Sequence, residues 1–356
     1  MTHHPHRRSL LLGTAGLALV APALATPALA QPARAKPDRI VVNASGGAMA
    51  NIFRRTYFAE FEKLHGIRVV DTSPVDFGKL RAMVESGNPE WTVTEIGGQD
   101  ATRVRQMNLV EPLDTTIIDR SGYPAAALDS HVYVSSAYST ALGYRTDSFP
   151  GGSQPKGWAQ FWDVKRFPGP RSLRNHPVDN LEFALLADGV PMDKLYPLDM
   201  DRAFRKLDEI RPHIVVWWTT GAQPAQLLVD KEVVLATGWN GRFFELTRSG
   251  APVATEFAEG SLKSSVFGIP RGTRQAYWGQ QFLQVMTNPR LQAVYATELS
   301  YAGFNPATMQ YVPEEVRPLL PAAPGNLEKQ FWLDVAWWTE NGARAQERWN
   351  RWMLRR

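Results

Sequence analysis

The stretch IVVWWTTGAQPAQLLVDKEVVLATGWNGR, residues 214–242, decides the fold class of this chain. It contains a β-branched and aromatic run (Ile214–Trp218), a turn of small residues (219–222), a helical pattern (223–230) and a second apolar run (233–237). This order predicts a strand, a helix and another strand of a parallel sheet. Open α/β sheets bind ligands beyond the carboxyl ends of their strands, so the loops of this unit are the first candidates for a ligand site.

Glycine, amide and indole side chains follow both predicted strands. The candidates for ligand contact in these loops are Gly221, Gln223, Trp239 and Asn240. Trp239 lies just past a strand end between Gly238 and Asn240, where we expect a large ring to pack against ligand. Trp217 and Trp218 instead alternate between the two faces of a strand, which favours a role in the core and leaves ligand contact as the alternative.

Working outward, the composition describes a globular exported protein. The chain has 356 residues with 44% hydrophobic content, enough for two lobes, and it has no cysteine, so the fold needs no disulfide. Without residues 1–30 the chain keeps 37 basic and 35 acidic residues. This balance, spread along the chain, does not favour nucleic-acid binding, which requires clustered basic residues.

The N-terminus has the pattern of an export signal. Arg7 and Arg8 precede an apolar segment over residues 10–29, and Ala28-Leu29-Ala30 resembles a cleavage site. The paired arginines favour the twin-arginine route over the general secretory route. A membrane anchor is the alternative, which the prolines in the segment disfavour. We therefore expect a periplasmic protein cleaved near Ala30.

Two loops near the start of the predicted fold are rich in glycine. Ser45, Gly46 and Gly47 separate a predicted strand (Arg39–Asn43) from a long helix (48–65), and Gly98 and Gln99 follow another predicted strand (91–96). Free backbone N–H groups at such a helix start can bind a polar or anionic ligand group, and a simple capping turn is the alternative. Neither loop carries a phosphate-loop or dinucleotide motif.

Further elements follow along the chain. Separate short strands are predicted at residues 109–113, 132–138, 141–145, 252–256 and 266–269, and two C-terminal helices at residues 327–340 and 343–353. Aromatic residues in those two helices are expected to pack against a lobe. The alternative, an envelope scaffold, would require them to be exposed.

The pattern of reactive side chains does not favour an enzyme. The four histidines after the predicted signal are scattered without metal-ligand spacing, and no nucleophile elbow or thiol dyad is present in the sequence. We therefore predict no catalytic residue, no metal and no cofactor. An exported hydrolase remains the alternative.

Several longer motifs resemble one family. FWDVKRFPGPRSLR (161–174), FRKLDEIRP (204–212), GAQPAQLL (221–228) and WNGR (239–242), in this order behind an export signal, are similar to the solute-binding proteins of ABC importers, in particular the polyamine-type branch. The resemblance implies an α/β, two-lobed periplasmic binding protein of type II with a ligand cleft between the lobes.

It also implies how the chain is divided. The expected lobe 1 is residues 38–143 with 266–310, and the expected lobe 2 is residues 144–265 with 311–356. The chain is expected to cross between the lobes near Gly143 and Gly268.

The resemblance further suggests ligand residues. Tyr301 and Trp239 fall where this family places aromatic walls, and Asp179 falls where it places a carboxylate for a ligand ammonium. Polyamine binders typically have an acid just before the returning strand, whereas this chain has Lys263 and Ser265. Asp179 is the reason to expect an ammonium group in the ligand. Lys263 and Ser265 are the reason to expect a ligand with fewer separated positive charges than spermidine has.

Together these observations predict a monomeric periplasmic receptor that closes around a small organic amine, polyamine-related or amino-acid-like. We expect the closed form to engage an ABC permease in the inner membrane. A receptor for a carboxylate ligand is the remaining alternative within the same class.

Overall fold

A computed structural model of the chain describes residues 35–355, apart from the side chains of Ala48 and Gln99. The predicted export signal, residues 1–30, lies outside the described residues and stays a prediction. Within the described part, no helix is long and apolar enough to cross a membrane.

The described residues form a mixed sheet of nine strands in the order β2-β1-β3-β8-β4-β7-β5-β6, with β9 paired to β8. The strands are β1 (Arg39–Asn43), β2 (Arg68–Thr72), β3 (Val93–Gly97), β4 (Val132–Arg145), β5 (Arg171–Arg174), β6 (Ile214–Trp218), β7 (Leu235–Trp239), β8 (Val253–Gly268) and β9 (Phe331–Trp332). The strands β1, β2 and β3 run parallel, as do β5, β6 and β7, whereas β4 and β8 run antiparallel to each other.

Helices cover this sheet. They are α1 (Ala48–Phe53), α2 (Ala59–His65), α3 (Phe77–Glu85), α4 (Ala101–Gln106), α5 (Trp158–Trp162), α6 (Pro177–Ala187), α7 (Met200–Ile210), α8 (Gln223–Val229), α9 (Asn240–Arg248), α10 (Ala276–Met286), α11 (Pro289–Leu299) and α12 (Val335–Met353). A π-helical turn, Arg54–Phe58, joins α1 to α2. The single long helix predicted over residues 48–65 is therefore present with a local change of winding.

The long strands β4 and β8 connect two halves of the sheet. β4 was predicted as two strands, over 132–138 and 141–145, and β8 as two strands, over 252–256 and 266–269; both predictions of a break were wrong. Register shifts in β4 between Val134 and Ser136 and between Thr140 and Leu142 bend the ladder without ending it. The predicted strand at residues 109–113 is an isolated bridge between Val110 and Pro270.

Each half of the sheet has its own hydrophobic core. Along β4, Ala137 belongs to the core around β1, β2 and β3, whereas Leu142 belongs to the core around β5, α6 and α7. Gly143 pairs with Ala236 of β7, and Gly268 pairs with Thr94 of β3, so each lies inside one half. The lobe ranges stay a prediction, and this packing favours a crossing on β4 before Gly143.

The strand–helix–strand unit predicted over residues 214–242 is present, but another strand lies between its two strands. β6, α8 and β7 follow each other as predicted, but β5 lies between β6 and β7 in the sheet and pairs parallel with both. Trp218 is buried and donates from Nε1 to Oγ1 of Thr237 at 3.1 Å. Trp217 packs against Trp349, with ring centroids 5.6 Å apart. Both rings are therefore core residues.

The C-terminal segment differs from the prediction of two helices. Residues 327–329 form a 3-10 turn, β9 follows, and one helix, α12, runs from Val335 to Met353. Trp338, Trp349 and Trp352 are buried in the core of the second half. This burial confirms packing against a lobe and contradicts the scaffold alternative, which required exposed rings.

Candidate functional site

A cavity of about 480 Å³ lies where the two halves of the sheet meet, a volume typical of small-molecule sites. It is lined by Ser45, Gly46, Gly47, Met49, Glu95, Ile96, Gly97, Gly98, Tyr138, Trp239, Gly241, Arg242, Glu245, Ser264, Ser265, Tyr295, Leu299 and Tyr301. Seven of the predicted site residues are in this lining: Ser45, Gly46, Gly47, Gly98, Trp239, Ser265 and Tyr301.

Strand ends bring these residues together. The loop after β1 and the end of β3 supply one wall, and the end of β7 with the first turn of α9 supplies the opposite wall. The strands β4 and β8 pass beneath the cavity, where Tyr138 pairs with Lys263 and Gly97 pairs with Ser265. The loop positions expected from strand order are therefore those that form the cavity.

Glu95 is a buried carboxylate in the cavity wall. It lies in β3, and its Oε2 accepts a 2.6 Å hydrogen bond from the backbone N–H of Ser45. Burial raises the pKa of Glu95 above its usual value, and the hydrogen bonds from Ser45 partly offset this effect. The carboxylate is thus held at a fixed position where a ligand cation would stabilise its charged form.

Arg242 supplies a positive charge in the part of the lining that comes from α9. It lies in the first turn of α9, and its Nη1 is 3.7 Å from Oε2 of Glu245. Its side chain is 46% exposed, so this single ion pair leaves guanidinium donors available. A guanidinium of this kind can bind a carboxylate through two parallel hydrogen bonds.

Aromatic rings form much of the remaining wall. The centroids of Tyr138 and Tyr301 are 6.2 Å apart, and those of Tyr295 and Tyr301 are 6.0 Å apart. Trp239 packs edge-on against Trp218 at 6.0 Å. Burial raises the pKa of the Tyr301 hydroxyl, and Arg242 lowers it less strongly. These rings present apolar faces with protonated hydroxyl groups.

Gly98 and Gly241 permit close approaches at the cavity. A Cβ atom on Gly98 would lie 2.2 Å from the backbone oxygen of Ser264, which brings the end of β3 directly onto β8. A Cβ atom on Gly241 would lie 2.8 Å from the hydroxyl of Tyr301. Glycine is required at Gly98, where the close atom belongs to the backbone, whereas a larger residue at Gly241 would displace the Tyr301 hydroxyl.

Asn240 and Gln223 do not line the cavity. Asn240 is buried, with Oδ1 accepting from the Ser139 backbone N–H at 2.8 Å and Nδ2 donating to Oγ of Ser300 at 2.9 Å. It therefore anchors the start of α9 to β4. Oε1 of Gln223 accepts from the Thr219 backbone N–H at 2.9 Å, within its own turn. Gln99 lies in a 3-10 turn after β3, and its side chain is outside the described part.

Asp179 and Lys263 also lie outside the lining, and they contact each other. Nζ of Lys263 is 2.6 Å from Oδ1 of Asp179, and both side chains are buried. From the sequence, the Asp179 carboxylate is expected to be open to a ligand ammonium. In the structure a lysine of the same chain occupies that carboxylate.

Sequence reasoning missed the charged groups of the cavity. Glu95 stands in the apolar run of β3 directly before Ile96 and two glycines, and Arg242 follows Trp239-Asn240-Gly241. A carboxylate inside a buried strand that ends in a glycine turn was a usable signal, because burial of an unpaired acid is costly without a functional reason.

Similar proteins place this arrangement in a family. The model of the family described as bacterial extracellular solute-binding protein matches residues 56–318. A γ-aminobutyric acid-binding protein of Pseudomonas aeruginosa is 32% identical over 326 residues, covering 89% of this chain and 91% of that protein. These relatives do not specify the polyamine-type branch expected from the sequence.

Solved structures agree with the two-lobed fold. An ABC transporter substrate-binding protein from Bradyrhizobium japonicum is 37% identical, with a TM-score of 0.81. The match covers 89% of this chain and 100% of that chain. A structure described as a GABA receptor is 33% identical with a TM-score of 0.80, covering 89% of this chain and 98% of that chain. The predicted α/β two-lobed periplasmic binding protein fold is confirmed. The family match and the relative from Pseudomonas aeruginosa show that the chain belongs to the bacterial extracellular solute-binding proteins, which serve ABC importers.

Proposed function

We propose that this protein is the receptor of an ABC importer for a small ω-amino acid such as γ-aminobutyric acid. The observation that carries the proposal is a cavity lined by both Glu95, from β3, and Arg242, from the start of α9. An ω-amino acid has an ammonium group and a carboxylate at opposite ends of a short chain. In this proposal Glu95 receives the ammonium and Arg242 receives the carboxylate.

The aromatic lining fits the rest of such a ligand. The methylene groups would pack on Tyr138, Trp239 and Tyr301, and an ammonium near an aromatic face gains about 0.5–2 kcal/mol. The names of two relatives, which refer to γ-aminobutyric acid, support the same ligand class. A long polycation is disfavoured because the Arg242 guanidinium would repel its second ammonium.

As the receptor of an importer, the protein would close its two halves around the solute and present the closed form to a permease. Closure is a population shift whose extent is limited by the difference in ligand affinity between open and closed forms. Residues on both walls contribute to the cavity, so a ligand that bridges Glu95 and Arg242 favours the closed form. We propose that the protein acts as an exported monomer in the periplasm.

Thermal unfolding with a panel of solutes tests the proposal. The panel is γ-aminobutyric acid, putrescine, spermidine and butyrate, each as a single additive. At a concentration a hundredfold above Kd, a true ligand stabilises the native state by about 2.7 kcal/mol. We expect γ-aminobutyric acid to give the largest shift. A larger shift with spermidine or putrescine, or an equal shift with butyrate, would contradict the proposed ligand class.

A further inference from the structure

The contact between Lys263 and Asp179 lies beside the proposed ligand site. Nζ of Lys263 is 2.6 Å from Oδ1 of Asp179, and the side chains are 9% and 1% exposed. The geometry is that of an ion-pair contact rather than a well-directed hydrogen bond. Two opposite charges are thus buried together, and removal of either one would leave the other without its counter-charge.

Lys263 contacts two hydroxyl groups in addition to Asp179. Its Nζ donates to Oγ1 of Thr140 at 2.8 Å and to Oγ of Ser261 at 3.1 Å. Burial lowers the pKa of Lys263 below its usual value, and the Asp179 carboxylate offsets only part of this effect. Burial alone would raise the pKa of Asp179, but the charge of the nearby Lys263 ammonium holds it below its usual value. The lowered pKa of Asp179 favours its carboxylate form, and that carboxylate in turn favours the ammonium form of Lys263.

One aromatic ring separates this pair from the cavity. Nζ of Lys263 is 5.9 Å from the centroid of the Tyr138 ring, and Tyr138 lines the cavity. Lys263 also directly precedes Ser264 and Ser265 on β8, both of which line the cavity. The charges of Asp179 and Glu95 both act on the Tyr138 hydroxyl, whose pKa is raised mainly by burial. The pair is thus close enough to influence a charged ligand.

The charges at the cavity are nearly balanced. Among the described residues, the acidic and basic side chains in the lining are Glu95, Arg242 and Glu245, and the last two pair with each other. With Glu95 and Glu245 counted against Arg242, the lining has one carboxylate more than it has cations. Behind the Tyr138 wall, Lys263 offsets the negative charge of Asp179. Two further charged groups act on this pair: the Glu182 carboxyl raises the pKa of Lys263, and the Arg174 guanidinium lowers it.

Asp179 has an unusual backbone for a structural aspartate. Its φ angle is 75°, in the region that non-glycine residues rarely adopt, at the start of α6. A strained residue held beside a ligand cavity favours a functional role. Burial of an ion pair is also a poor source of stability compared with apolar packing.

We propose that Lys263 determines the charge of the ligand, acting as a built-in ammonium that occupies Asp179 and leaves the cavity suited to a ligand with one cationic group. This inference rests on the proposed function for the identity of the preferred ligand. Lys263 is a specificity-determining residue in this account, without direct ligand contact. A chain with a neutral residue at this position would favour a diamine.

Isothermal titration of four proteins with γ-aminobutyric acid and with putrescine tests the inference. The proteins are the wild type, Lys263→Met, Asp179→Asn and the double variant. A unit charge roughly 10 Å away at an effective dielectric constant of about 20 changes the affinity of an ion by on the order of tenfold. We expect Lys263→Met to raise the ratio of putrescine affinity to γ-aminobutyric acid affinity by about that factor.

The other variants give opposite and compensating results. Asp179→Asn leaves an extra positive charge and is expected to lower the ratio, and the double variant is expected to return it to the wild-type value. Lys194→Met is the matched control, because Lys194 forms an exposed pair with Asp193 at 3.8 Å. If Lys263→Met does not fold, Asp179→Asn and the double variant still decide the outcome.

The titrations distinguish a failure of the role proposed for Lys263 from a failure of the proposed function. An unchanged ratio in Lys263→Met and Asp179→Asn, or a shift in the same direction in both, would overturn the role of Lys263. A wild type that binds putrescine more tightly than γ-aminobutyric acid would contradict the proposed function. In that case Lys263→Met is still expected to gain putrescine affinity, because the added charge acts on any cation in the cavity.

Discussion

The backbone N–H of Ser45 donates a 2.6 Å hydrogen bond to the carboxylate of Glu95. This contact links the loop after β1 to the strand β3 and fixes one carboxylate oxygen at the cavity wall. Glu95 is 9% exposed, so its negative charge is costly unless a cation is nearby. An incoming ammonium would meet a carboxylate that is already positioned, with little conformational entropy left to lose.

Glu95→Gln is expected to weaken binding of γ-aminobutyric acid by about 1.5–3 kcal/mol, the range for a hydrogen bond to a charged group. The amide oxygen can still accept from Ser45, so the fold should be retained. Isothermal titration measures the affinity. Glu90→Gln, at a carboxylate 66% exposed, is the control and should leave affinity unchanged. Equal affinity in Glu95→Gln and the wild type would show that Glu95 is not the ammonium partner.

Ligand affinity is expected to fall as the pH falls. Burial raises the pKa of Glu95 in the free protein, whereas a bound ammonium would lower it. Ligand binding therefore releases a proton below the raised pKa, and the affinity decreases by up to about tenfold per pH unit there. Titrations over roughly pH 5 to pH 8, a range in which the ligand stays zwitterionic, should show this slope in the wild type. The same slope in Glu95→Gln would assign the proton to another group.

Arg242→Lys is expected to weaken binding of γ-aminobutyric acid by about 1–3 kcal/mol, because lysine cannot provide two parallel hydrogen bonds. Binding of n-butylamine, which has no carboxylate, should be unchanged. Arg248→Lys is a matched control on the same helix, since Arg248 is exposed and donates to the Thr297 carbonyl oxygen. A parallel loss for both ligands in Arg242→Lys would remove Arg242 from carboxylate recognition.

Comparing Trp239→Ala with Trp217→Ala distinguishes a ring that contacts the ligand from a ring that only stabilises the core. Trp239 lines the cavity, so its removal should weaken binding by about 1–3 kcal/mol with a smaller change in unfolding free energy. Trp217 packs against Trp349 and Trp352, so its removal should cost roughly 2–4 kcal/mol of stability and leave affinity unchanged. Titration and chemical denaturation measure both quantities. Unchanged binding in Trp239→Ala would place that ring in the core.

Much of the fold follows from local patterns in the sequence. β1 begins and ends at the predicted residues, and β6, α8 and β7 follow in the predicted order, because turn residues and apolar periodicity are local signals. The breaks predicted within β4 and β8 were wrong for a physical reason. These strands carry polar residues such as Ser139 and Lys263 where they pass beneath the cavity, and polar residues in a strand resemble a loop in sequence.

The ligand site could be predicted from the sequence only in part. Glycine loops and Trp239 were recognised because they follow strand ends, but the partner of each charge depends on which strands pair. Tyr138 pairs with Lys263 across strands far apart in the chain, and Asp179 reaches the same lysine from α6. A local pattern does not contain that contact, so the carboxylate was expected to be open and Glu95 was not considered.

A crystal structure of the protein with γ-aminobutyric acid tests the central claim most directly. We predict that the ligand lies in the cavity with its ammonium nitrogen about 3 Å from the Glu95 carboxylate and its carboxylate paired with Arg242. We also predict that Lys263 stays on Asp179. A ligand in the opposite orientation, or one whose ammonium displaces Lys263 from Asp179, would contradict the account.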